Sequence, residues 1–249
     1  MIYAIGDIHG ENELLNRLLA SIPRQPFEKL IFLGDYIDRG PDSPGVVASV
    51  LREKAQNPDK TILLWGNHED MAAGAYGLPD AAGWVNQQKE IVEGTWLSNG
   101  GGYTRRQFDQ VDNLSGEVPE NFYMLTSHLE PWHRDEKTGV YFVHGGIPPG
   151  VTPEETCVPG RVAFDSMDLW NLLWFRPTSS PTQHLGRQIV CGHTPQTSTY
   201  HPLRLGDHLI IDTGCVYGGP LTCLGIDEGT GLCTIWQSWP NGAVTRRAL

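Results

Sequence analysis

In the stretch Ile2-Tyr3-Ala4-Ile5-Gly6-Asp7-Ile8-His9-Gly10, a four-residue apolar run leads into an Asp and a His two positions apart. A short continuous apolar run bounded by Gly is typical of a strand that is buried on both faces. In an extended segment, side chains two positions apart point to the same side. We therefore expect Asp7 and His9 to lie together at the carboxyl end of a strand, where they can bind one metal ion.

Two further stretches show the same order of residue types. Leu30-Ile31-Phe32-Leu33-Gly34-Asp35 and Ile62-Leu63-Leu64-Trp65-Gly66-Asn67 each lead from an apolar run through a Gly to a polar side chain. Apolar residues at helical spacing predict helices over 12–20 and 46–54, between these strands. Alternating strands and helices predict parallel strand pairing, and open sheets of this kind bind ligands at the carboxyl ends of their strands. Asp35 and Asn67 are therefore expected beside Asp7.

The second half of the chain is richer in strand-like segments. Two of its apolar runs end at a His, because His144 follows Phe142-Val143 and His193 follows Val190-Cys191-Gly192. Other strand-like segments lie at 208–211, 221–226 and 232–237. A chain of 249 residues can form one sizeable core. We predict a single α/β domain over residues 1–249, or α+β by some schemes, built as a two-sheet mixed β-sandwich flanked by helices.

Between about residues 72 and 139 the apolar periodicity weakens. Gly residues separate short helical patches that contain Trp84, Trp96, Tyr103 and Phe108. We predict that this segment is an inserted helical lid. The sequence leaves two roles open for it: its aromatic side chains contact the substrate, or its helices pack on the core.

Composition narrows the partners and the compartment. The formal net charge of -11, from 29 acidic and 18 basic residues, argues against general nucleic-acid binding, which requires a basic surface. A phosphorylated substrate must then be attracted locally, by metal ions and selected arginines. The five cysteines form no CxxC pair and are interpreted as reduced core residues. No apolar run approaches membrane-spanning length and no signal segment is evident, so we expect a cytoplasmic protein without a membrane partner. The oligomeric state is left open.

The candidate ligands supply carboxylate and amide oxygens and imidazole nitrogens, with no thiolate beside them, which suits first-row divalent ions. We expect Asp35 to bridge two ions. The remaining ligands are Asp7 and His9 on one ion, and Asn67, His144 and His193 on the other. Paired ions of this kind lie about 3.5–4 Å apart and convert a bridging water into a hydroxide nucleophile. We expect manganese, with iron, zinc or magnesium as alternatives.

His68 follows the ligand Asn67 and should therefore point away from the ions, where it can act as a general acid. Asp38 is its expected partner, because a carboxylate fixes the imidazole ring and favours its protonated form. Arg39 offers a planar fork for two phosphoryl oxygens, beside Asn67 and His68. A second phosphate-binding arginine is expected at Arg176, with Arg161 and Arg187 as alternatives. Histidines outside these motifs, including His133 and His208, are expected at the surface or in turns.

These motifs resemble those of the calcineurin-like metallophosphoesterase superfamily, within it the phosphoprotein phosphatase branch that includes bacterial and phage serine/threonine phosphatases. The resemblance extends from Gly6 to Ile211-Asp212-Thr213-Gly214-Cys215-Val216-Tyr217-Gly218-Gly219, which is similar to the closing motif of bacterial members. Trp96-Leu97-Ser98-Asn99-Gly100-Gly101 is also similar to bacterial members. The resemblance implies the metal ligands and the acid pair assigned above. Trp65-Gly66-Asn67-His68-Glu69 departs from the Arg-Gly-Asn-His-Glu of eukaryotic members, which disfavours a eukaryotic type of regulatory assembly.

The resemblance implies a metal-dependent phosphomonoesterase that acts on phosphoserine or phosphothreonine in proteins. The first alternative is a bis(5'-nucleosyl)-tetraphosphatase, that is, a diadenosine tetraphosphate hydrolase, in which aromatic residues of the segment 72–139 would stack on a base. The second alternative is a non-catalytic phosphate- or metal-sensing module. It is disfavoured because the expected ligands, His68 and Asp38 are all present.

Overall fold

A computed structural model of the chain describes residues 1–23, 27–78, 89–112, 117–156, 166–178, 186 and 188–249. Its strands are β1 (Ile2–Ile5), β2 (Lys29–Phe32), β3 (Thr61–Leu64), β4 (Leu129–Glu130), β5 (His133–Arg134), β6 (Tyr141–Phe142), β7 (Ile189–Cys191), β8 (Leu203–Leu205), β9 (His208–Ile210), β10 (Leu221–Ile226), β11 (Cys233–Ser238) and β12 (Val244–Ala248). Its helices are α1 (Asn12–Ser21), α2 (Ser43–Gln56), α3 (Asn67–Tyr76), α4 (Lys89–Trp96), α5 (Gly102–Asp112), α6 (Glu120–Thr126), α7 (Pro153–Thr156) and α8 (Ser166–Trp174). A π-helical turn, Leu97–Gly101, joins α4 to α5.

The strands form two mixed sheets. The first has the order β12-β11-β10-β1-β2-β3-β4, with β1 to β4 parallel to one another and β10 antiparallel to β1. The second has the order β5-β6-β7-β9-β8, with β6, β7 and β9 parallel. The pairing of Ile5 with Phe32, and of Phe32 with Leu63, aligns the carboxyl ends of the first three strands. The polar residues that follow these strands are thereby placed along one edge.

The two sheets pack face to face. Their shared apolar layer includes Ala4, Ile31 and Leu64 from the first sheet, and Phe142 and Val190 from the second, all nearly or fully buried. Such strands are apolar on both faces because helices cover the outer side of each sheet.

The outer face of the first sheet is covered by α1 and α2, through residues such as Leu15, Leu18 and Val47. The outer face of the second sheet is covered by α8, through Leu169 and Leu172. The predicted two-sheet sandwich flanked by helices is thus confirmed.

Helix boundaries differ slightly from those predicted. The second helix begins at Ser43 because the Asp42 side chain accepts a hydrogen bond from the Gly45 N–H at 2.9 Å and Pro44 occupies the first turn. The helix α3 begins at Asn67 itself, so the predicted insertion starts inside a helix of the main body. Within the predicted insertion, the structure describes the helices α4, α5 and α6.

Some residue environments also differ from expectation. His208 was expected at the surface or in a turn, but it lies wholly buried on β9 and its Nε2 accepts the N–H of Ile147. Cys191, Cys215 and Cys223 are buried free thiols, as expected, and Cys233 is a partly buried one. Cys157 lies outside the described residues. In the described part of the chain, no helix is both long enough and apolar enough to cross a membrane.

Candidate metal centre

Six side chains that the sequence analysis assigned as metal ligands meet at the carboxyl edge of the two sheets. They come from the segments after β1, β2, β3, β6 and β7, and each is at most 5% exposed; they are Asp7, His9, Asp35, Asn67, His144 and His193. The segments after β2 and β3 approach so closely that only Gly fits at position 66. A Cβ there would collide with the backbone nitrogen of Asp35. The six residues thus lie in one buried cluster, as expected for residues that follow the carboxyl ends of parallel strands.

Asp35 lies at the centre of the cluster. Two groups of side chains bring their potential ligand atoms within 4.8 Å of one another: His9, Asp35 and His68, and Asp35, His144 and His193. The Oδ2 atom of Asp35 lies 3.4 Å from His9 Nε2, and its Oδ1 atom lies 3.3 Å from His144 Nε2. The two carboxylate oxygens thus face different imidazoles, as a bridging carboxylate would require.

The imidazole tautomers fit bound cations. His144 Nδ1 lies 2.8 Å from the carbonyl oxygen of Leu33, so it carries the proton and Nε2 keeps its lone pair. That Nε2 atom is 3.0 Å from Asn67 Oδ1, which cannot donate a hydrogen bond. His9 has the same arrangement, because its Nδ1 lies 2.9 Å from the carbonyl oxygen of Ile37. The His144 lone pair and the Asn67 oxygen repel each other at this distance, and a divalent ion bound by both atoms would remove the repulsion.

The imidazole of His193, which belongs to the group with Asp35 and His144, also fits a bound cation. His193 Nδ1 lies 3.0 Å from Asn67 Oδ1, and its buried Nε2 has no hydrogen-bond partner among the described residues. Burial lowers the pKa of His193 to about 2 and that of His9 to about 3, and it also lowers the pKa of His144. All three rings are therefore neutral near pH 7, which is the form that binds metals.

The buried carboxyl groups of Asp7, Asp35 and Asp212 also favour a bound cation. Burial, followed by the carboxylates of Asp212 and Asp35, raises the pKa of Asp7 well above its usual range. Burial raises the pKa of Asp212 to about 6. Both Asp7 oxygens accept the backbone N–H of His193, at 3.1 and 3.0 Å. Clustered buried carboxylates repel each other unless a cation lies among them.

His68 and Asp38, which the sequence predicts to be partners, are in direct contact. His68 Nδ1 lies 2.6 Å from Asp38 Oδ2, and both side chains are at most 1% exposed. His68 is also one of the three potential metal ligands in the group with His9 and Asp35, and its ring centre lies 4.7 Å from that of His9. The backbone N–H of His68 also donates to Asp35 Oδ1 at 3.1 Å. One short segment thus links the acid pair to the central carboxylate.

The two predicted arginines line the same cavity, whose volume is about 110 Å³. Arg39 Nη1 donates to His9 Nε2 at 2.6 Å, and its guanidinium lies 5.9 Å from the ring centre of Tyr217. Arg176 is more exposed, and its Nη1 donates to the carbonyl oxygen of His193 at 2.7 Å. The alternatives Arg161 and Arg187 lie outside the described residues.

The structure adds three residues that sequence reasoning did not assign. Glu69 is fully buried, and its carboxylate accepts the backbone N–H groups of Asp35, Tyr36 and Ile37. Trp96 from the inserted segment donates its indole N–H to Asp38. Cys215, interpreted as a core residue, lines the cavity, and burial raises its pKa, so it is a thiol that donates to the carbonyl oxygen of Asp7. In the sequence, the feature that pointed to contacts of these three residues with the centre was their position in or beside a motif.

Known structures share this architecture. The chain superimposes on the cold-active protein-tyrosine phosphatase of a psychrophilic Shewanella species with a TM-score of 0.62 and 20% identity, covering 100% of this chain and 80% of that one. The fold and the paired groups around Asp35 define a metallophosphoesterase, a hydrolase that uses divalent metal ions. The chain belongs to the calcineurin-like phosphoesterase family, whose model matches residues 1–220.

Relatives of similar length have two different activities in their names. The chain is 41% identical to the symmetrical bis(5'-nucleosyl)-tetraphosphatase of Acidovorax sp. (strain JS42), over 90% of this chain and 91% of that protein. It is 28% identical to the serine/threonine-protein phosphatase 1 of Salmonella typhimurium, over 89% of each. A further relative, from Caenorhabditis elegans, is 48% identical over 68 residues, which span only 19% of its length. Family membership alone therefore does not decide between a phosphoprotein and a dinucleotide substrate.

Proposed function

We propose that this chain is a dinuclear phosphatase that hydrolyses phosphomonoesters, with phosphoserine or phosphothreonine in proteins as the substrate. The observation that carries the proposal is that Asp35 belongs to both groups of potential metal ligands, and that His68, a member of the first group, pairs with Asp38. Asp7, His9 and Asp35 would hold one ion, and Asp35, Asn67, His144 and His193 the other. The described ligands are nitrogen and oxygen atoms, and we propose manganese as the native metal.

Two bound ions would neutralise charge on the phosphoryl group and acidify a water molecule beside it. Arg39 is placed to bind phosphoryl oxygens, because its guanidinium lines the cavity together with Asn67 and His68. His68 donates a proton from Nε2 to the leaving oxygen, while Asp38 holds the Nδ1–H and stabilises the ring in its charged form. Arg176 supplies a second positive charge at the outer side of the cavity.

Burial in the inserted segment supports a phosphomonoester over a dinucleotide. Trp96 and Phe108, which were candidates to stack on a base, are at most 2% exposed and pack in the core. Tyr103 is 44% exposed, and Trp84 lies outside the described residues. The cavity at the metal centre is lined by Arg39, Asn67 and His68, a polar lining that suits a phosphoryl group.

The second candidate is a bis(5'-nucleosyl)-tetraphosphatase, which the 41% identity to the Acidovorax enzyme favours. The same metal centre would then act on a phosphoanhydride. Tyr217 is 50% exposed at the edge of the cavity, and it is the described aromatic residue best placed to contact a base. We also propose a cytoplasmic location, because the described cysteines are free thiols.

The test compares kcat/KM of the manganese-loaded protein for a phosphoserine peptide and for diadenosine tetraphosphate. An Asp35→Asn variant controls for contaminating phosphatases. Faster turnover of the peptide supports the first proposal, and much faster turnover of the dinucleotide replaces it with the second. If the folded, metal-loaded protein hydrolyses neither these substrates nor para-nitrophenyl phosphate, the site is a sensor and both enzymatic proposals fail.

A further inference from the structure

The inserted segment makes direct contact with the acid pair. Trp96, the last residue of α4, donates its indole N–H to Asp38 Oδ2 at 3.0 Å and Oδ1 at 3.2 Å. Trp96 and Asp38 are both 0% exposed, so no water can take the place of this donor. Asp38 thus receives hydrogen bonds on its carboxylate from two sides, from His68 and from a residue 58 positions away in sequence.

The indole ring is itself held in place. The guanidinium of Arg105 lies 5.2 Å from the ring centre of Trp96, and the ring of Tyr76 lies 5.3 Å away. The backbone at Gly101 passes so close to the indole that a Cβ at this position would collide with the ring. The direction of the N–H group is therefore fixed by packing on several sides.

The same segment also fixes the backbone around Asp38. The N–H of Asp38 donates to Thr104 Oγ1 at 3.0 Å. Gln107 Nε2 donates to the carbonyl oxygen of Gly40 at 3.1 Å, and its Oε1 accepts the N–H of Ser43. These contacts come from α5 and cover the residues on both sides of Arg39.

This backbone needs support, because it adopts a conformation that side-chain-bearing residues avoid. Asp38 and Arg39 have φ angles of 73° and 69°. Non-Gly residues keep such angles only where the surrounding structure holds them there. The N–H of Asp38 also donates to Ser43 Oγ at 3.2 Å, so α4 and α5 share this support with α2, and losing their contacts would loosen the backbone of Asp38 and Arg39 beside the cavity.

We propose that Trp96 is a positioning residue for the general acid: its indole N–H holds Asp38 so that Oδ2 stays on His68 Nδ1, with Thr104 and Gln107 holding the backbone. The inserted segment then governs protonation of the leaving group, whether or not it also covers substrate. This inference rests on the proposed function, in which His68 is the acid. It matters more for esters than for anhydrides, because an alkoxide leaving group depends on protonation more than a phosphate oxygen does.

The test uses Trp96→Phe, which keeps an aromatic ring in the pocket but removes the N–H donor. Two substrates are compared in the manganese-loaded protein. Phenyl phosphate releases phenolate, a poor leaving group, and para-nitrophenyl phosphate releases para-nitrophenolate, a good one. General-acid help is worth about 10²–10⁴-fold. We expect kcat/KM for phenyl phosphate to fall roughly 10–100-fold, as part of that contribution, and the value for para-nitrophenyl phosphate to fall less than about 3-fold.

Two further variants make the result specific. Val92→Ala removes packing from the same helix, since Val92 is 1% exposed, and it should lower Tm without changing the ratio between the two substrates. Thr104→Val is nearly isosteric and should shift the ratio in the same direction as Trp96→Phe, by a smaller factor. It also tests the inference independently if the Trp96 variant does not fold.

The parallel measurement on His68→Asn separates two kinds of failure. If His68→Asn shows the leaving-group dependence but Trp96→Phe and Thr104→Val slow both substrates equally or slow neither, the positioning role is wrong and the proposed function stands. If His68→Asn shows no leaving-group dependence, the acid assignment itself is wrong, and the inference about Trp96 falls with it.

Discussion

Replacing Glu69 with Gln is expected to destabilise the protein through the loop that carries Asp35. The Glu69 carboxylate accepts the Asp35 N–H at 2.8 Å on Oε2, and the Tyr36 and Ile37 N–H groups at 2.9 and 3.2 Å on Oε1. Asp35 has a φ angle of 51°, which it does not adopt without support. Gln has the same shape, but one carboxylate oxygen becomes an NH₂ group that faces a backbone N–H.

The size of the effect follows from these contacts. In its best orientation, the introduced Gln side chain keeps its oxygen on the N–H groups of Tyr36 and Ile37 and turns its NH₂ toward the N–H of Asp35. A hydrogen bond to a charged group, worth about 1.5–3 kcal/mol, is then lost, and a buried donor is left unpaired at a cost of about 1–3 kcal/mol. The two contributions together come to about 2.5–6 kcal/mol. For a chain of this size, 1 kcal/mol shifts Tm by about 2–4 °C, so Tm should fall by at least roughly 5–10 °C, the shift expected at the lower end of that range.

The assay is thermal unfolding of the metal-free protein, followed by circular dichroism. Glu90→Gln is the matched control, because Glu90 is exposed on α4 and the same change there should alter stability by at most about 0.5 kcal/mol. Added manganese provides a second measurement. Residues that orient a metal ligand are typically worth about 10–100-fold in metal affinity, so Glu69→Gln should need that much more manganese for the same stabilisation. The reasoning is refuted if Glu69→Gln and Glu90→Gln unfold at the same temperature and respond equally to manganese.

Three further outcomes are expected. His68→Asn should retain metal binding but slow esters with poor leaving groups by about 10²–10⁴-fold and activated aryl esters much less, measured as kcat/KM across an aryl phosphate series; equal losses would remove His68 from the acid role. Arg39→Ala should weaken inhibition by inorganic phosphate, and Arg39→Lys should recover only part of it because Lys lacks the planar fork; an unchanged inhibition constant would contradict the assignment. Burial, followed by the charge of Lys29, lowers the pKa of His133 from 6.5 to about 4. Between those pH values the unfolded chain binds more protons than the folded one, so the stability that neutral His133 contributes is complete above pH 6.5 and is lost as the pH falls toward 4. After allowance for the partial exposure of His133, His133→Gln should reduce the acid-induced loss of stability by about 1–2 kcal/mol in urea unfolding curves, and parallel curves for the two proteins would argue against the shift.

The sequence was sufficient for the sandwich and for the clustering of polar residues at its edge, because both depend on local patterns. An apolar run that ends in Gly and a polar residue marks a buried strand and its carboxyl end, and parallel pairing brings such ends together. His144 and His193 illustrate the reach of this rule. They lie 77 and 126 positions from Asn67, yet both contact its Oδ1 atom at 3.0 Å.

Short and polar strands escaped the same reasoning. The strands β4 and β5 have two residues each, too few to show a pattern. The edge strand β12 reads Val-Thr-Arg-Arg-Ala and is mostly exposed, so it lacks an apolar face. Its place is set by hairpin pairing with β11, in which Ser238 pairs with Val244, and not by an apolar pattern of its own.

The supporting contacts of the centre were hidden for a different reason. Glu69 is next to His68 in sequence, but its partners are backbone N–H groups of residues 35–37. Trp96 lies in a segment with weak periodicity, and its partner is Asp38. A backbone N–H group is present at every residue except Pro, so its use by a distant carboxylate leaves no mark in the sequence.

Backbone conformation shows why these contacts concentrate here. Apart from Tyr200, every described non-Gly residue with a positive φ angle lies in this centre: His9, Asp35, Asp38, Arg39 and His193. Such conformations cost of order 1–3 kcal/mol each and persist only when the surroundings determine them. Three of these four strained segments are held by a side chain from another segment. Glu69 holds Asp35, Thr104 and Trp96 hold Asp38, and the Asp7 carboxylate accepts the N–H of His193.

This reciprocal support has a consequence for catalysis. A phosphoesterase centre must place its ligands, its acid and its arginine before the substrate arrives, because stabilisation of the transition state depends on groups that do not have to reorganise. With ordinary φ angles, Asp35 and Asp38 would not hold their side chains in these positions at the centre. A single segment cannot hold itself in a disfavoured conformation, so the support must come from other segments. The core of the sandwich offsets the strain, and the inserted helices supply the contacts that the strand ends lack. The residues at which local sequence rules fail are therefore the residues on which the positions of the ligands and the acid depend.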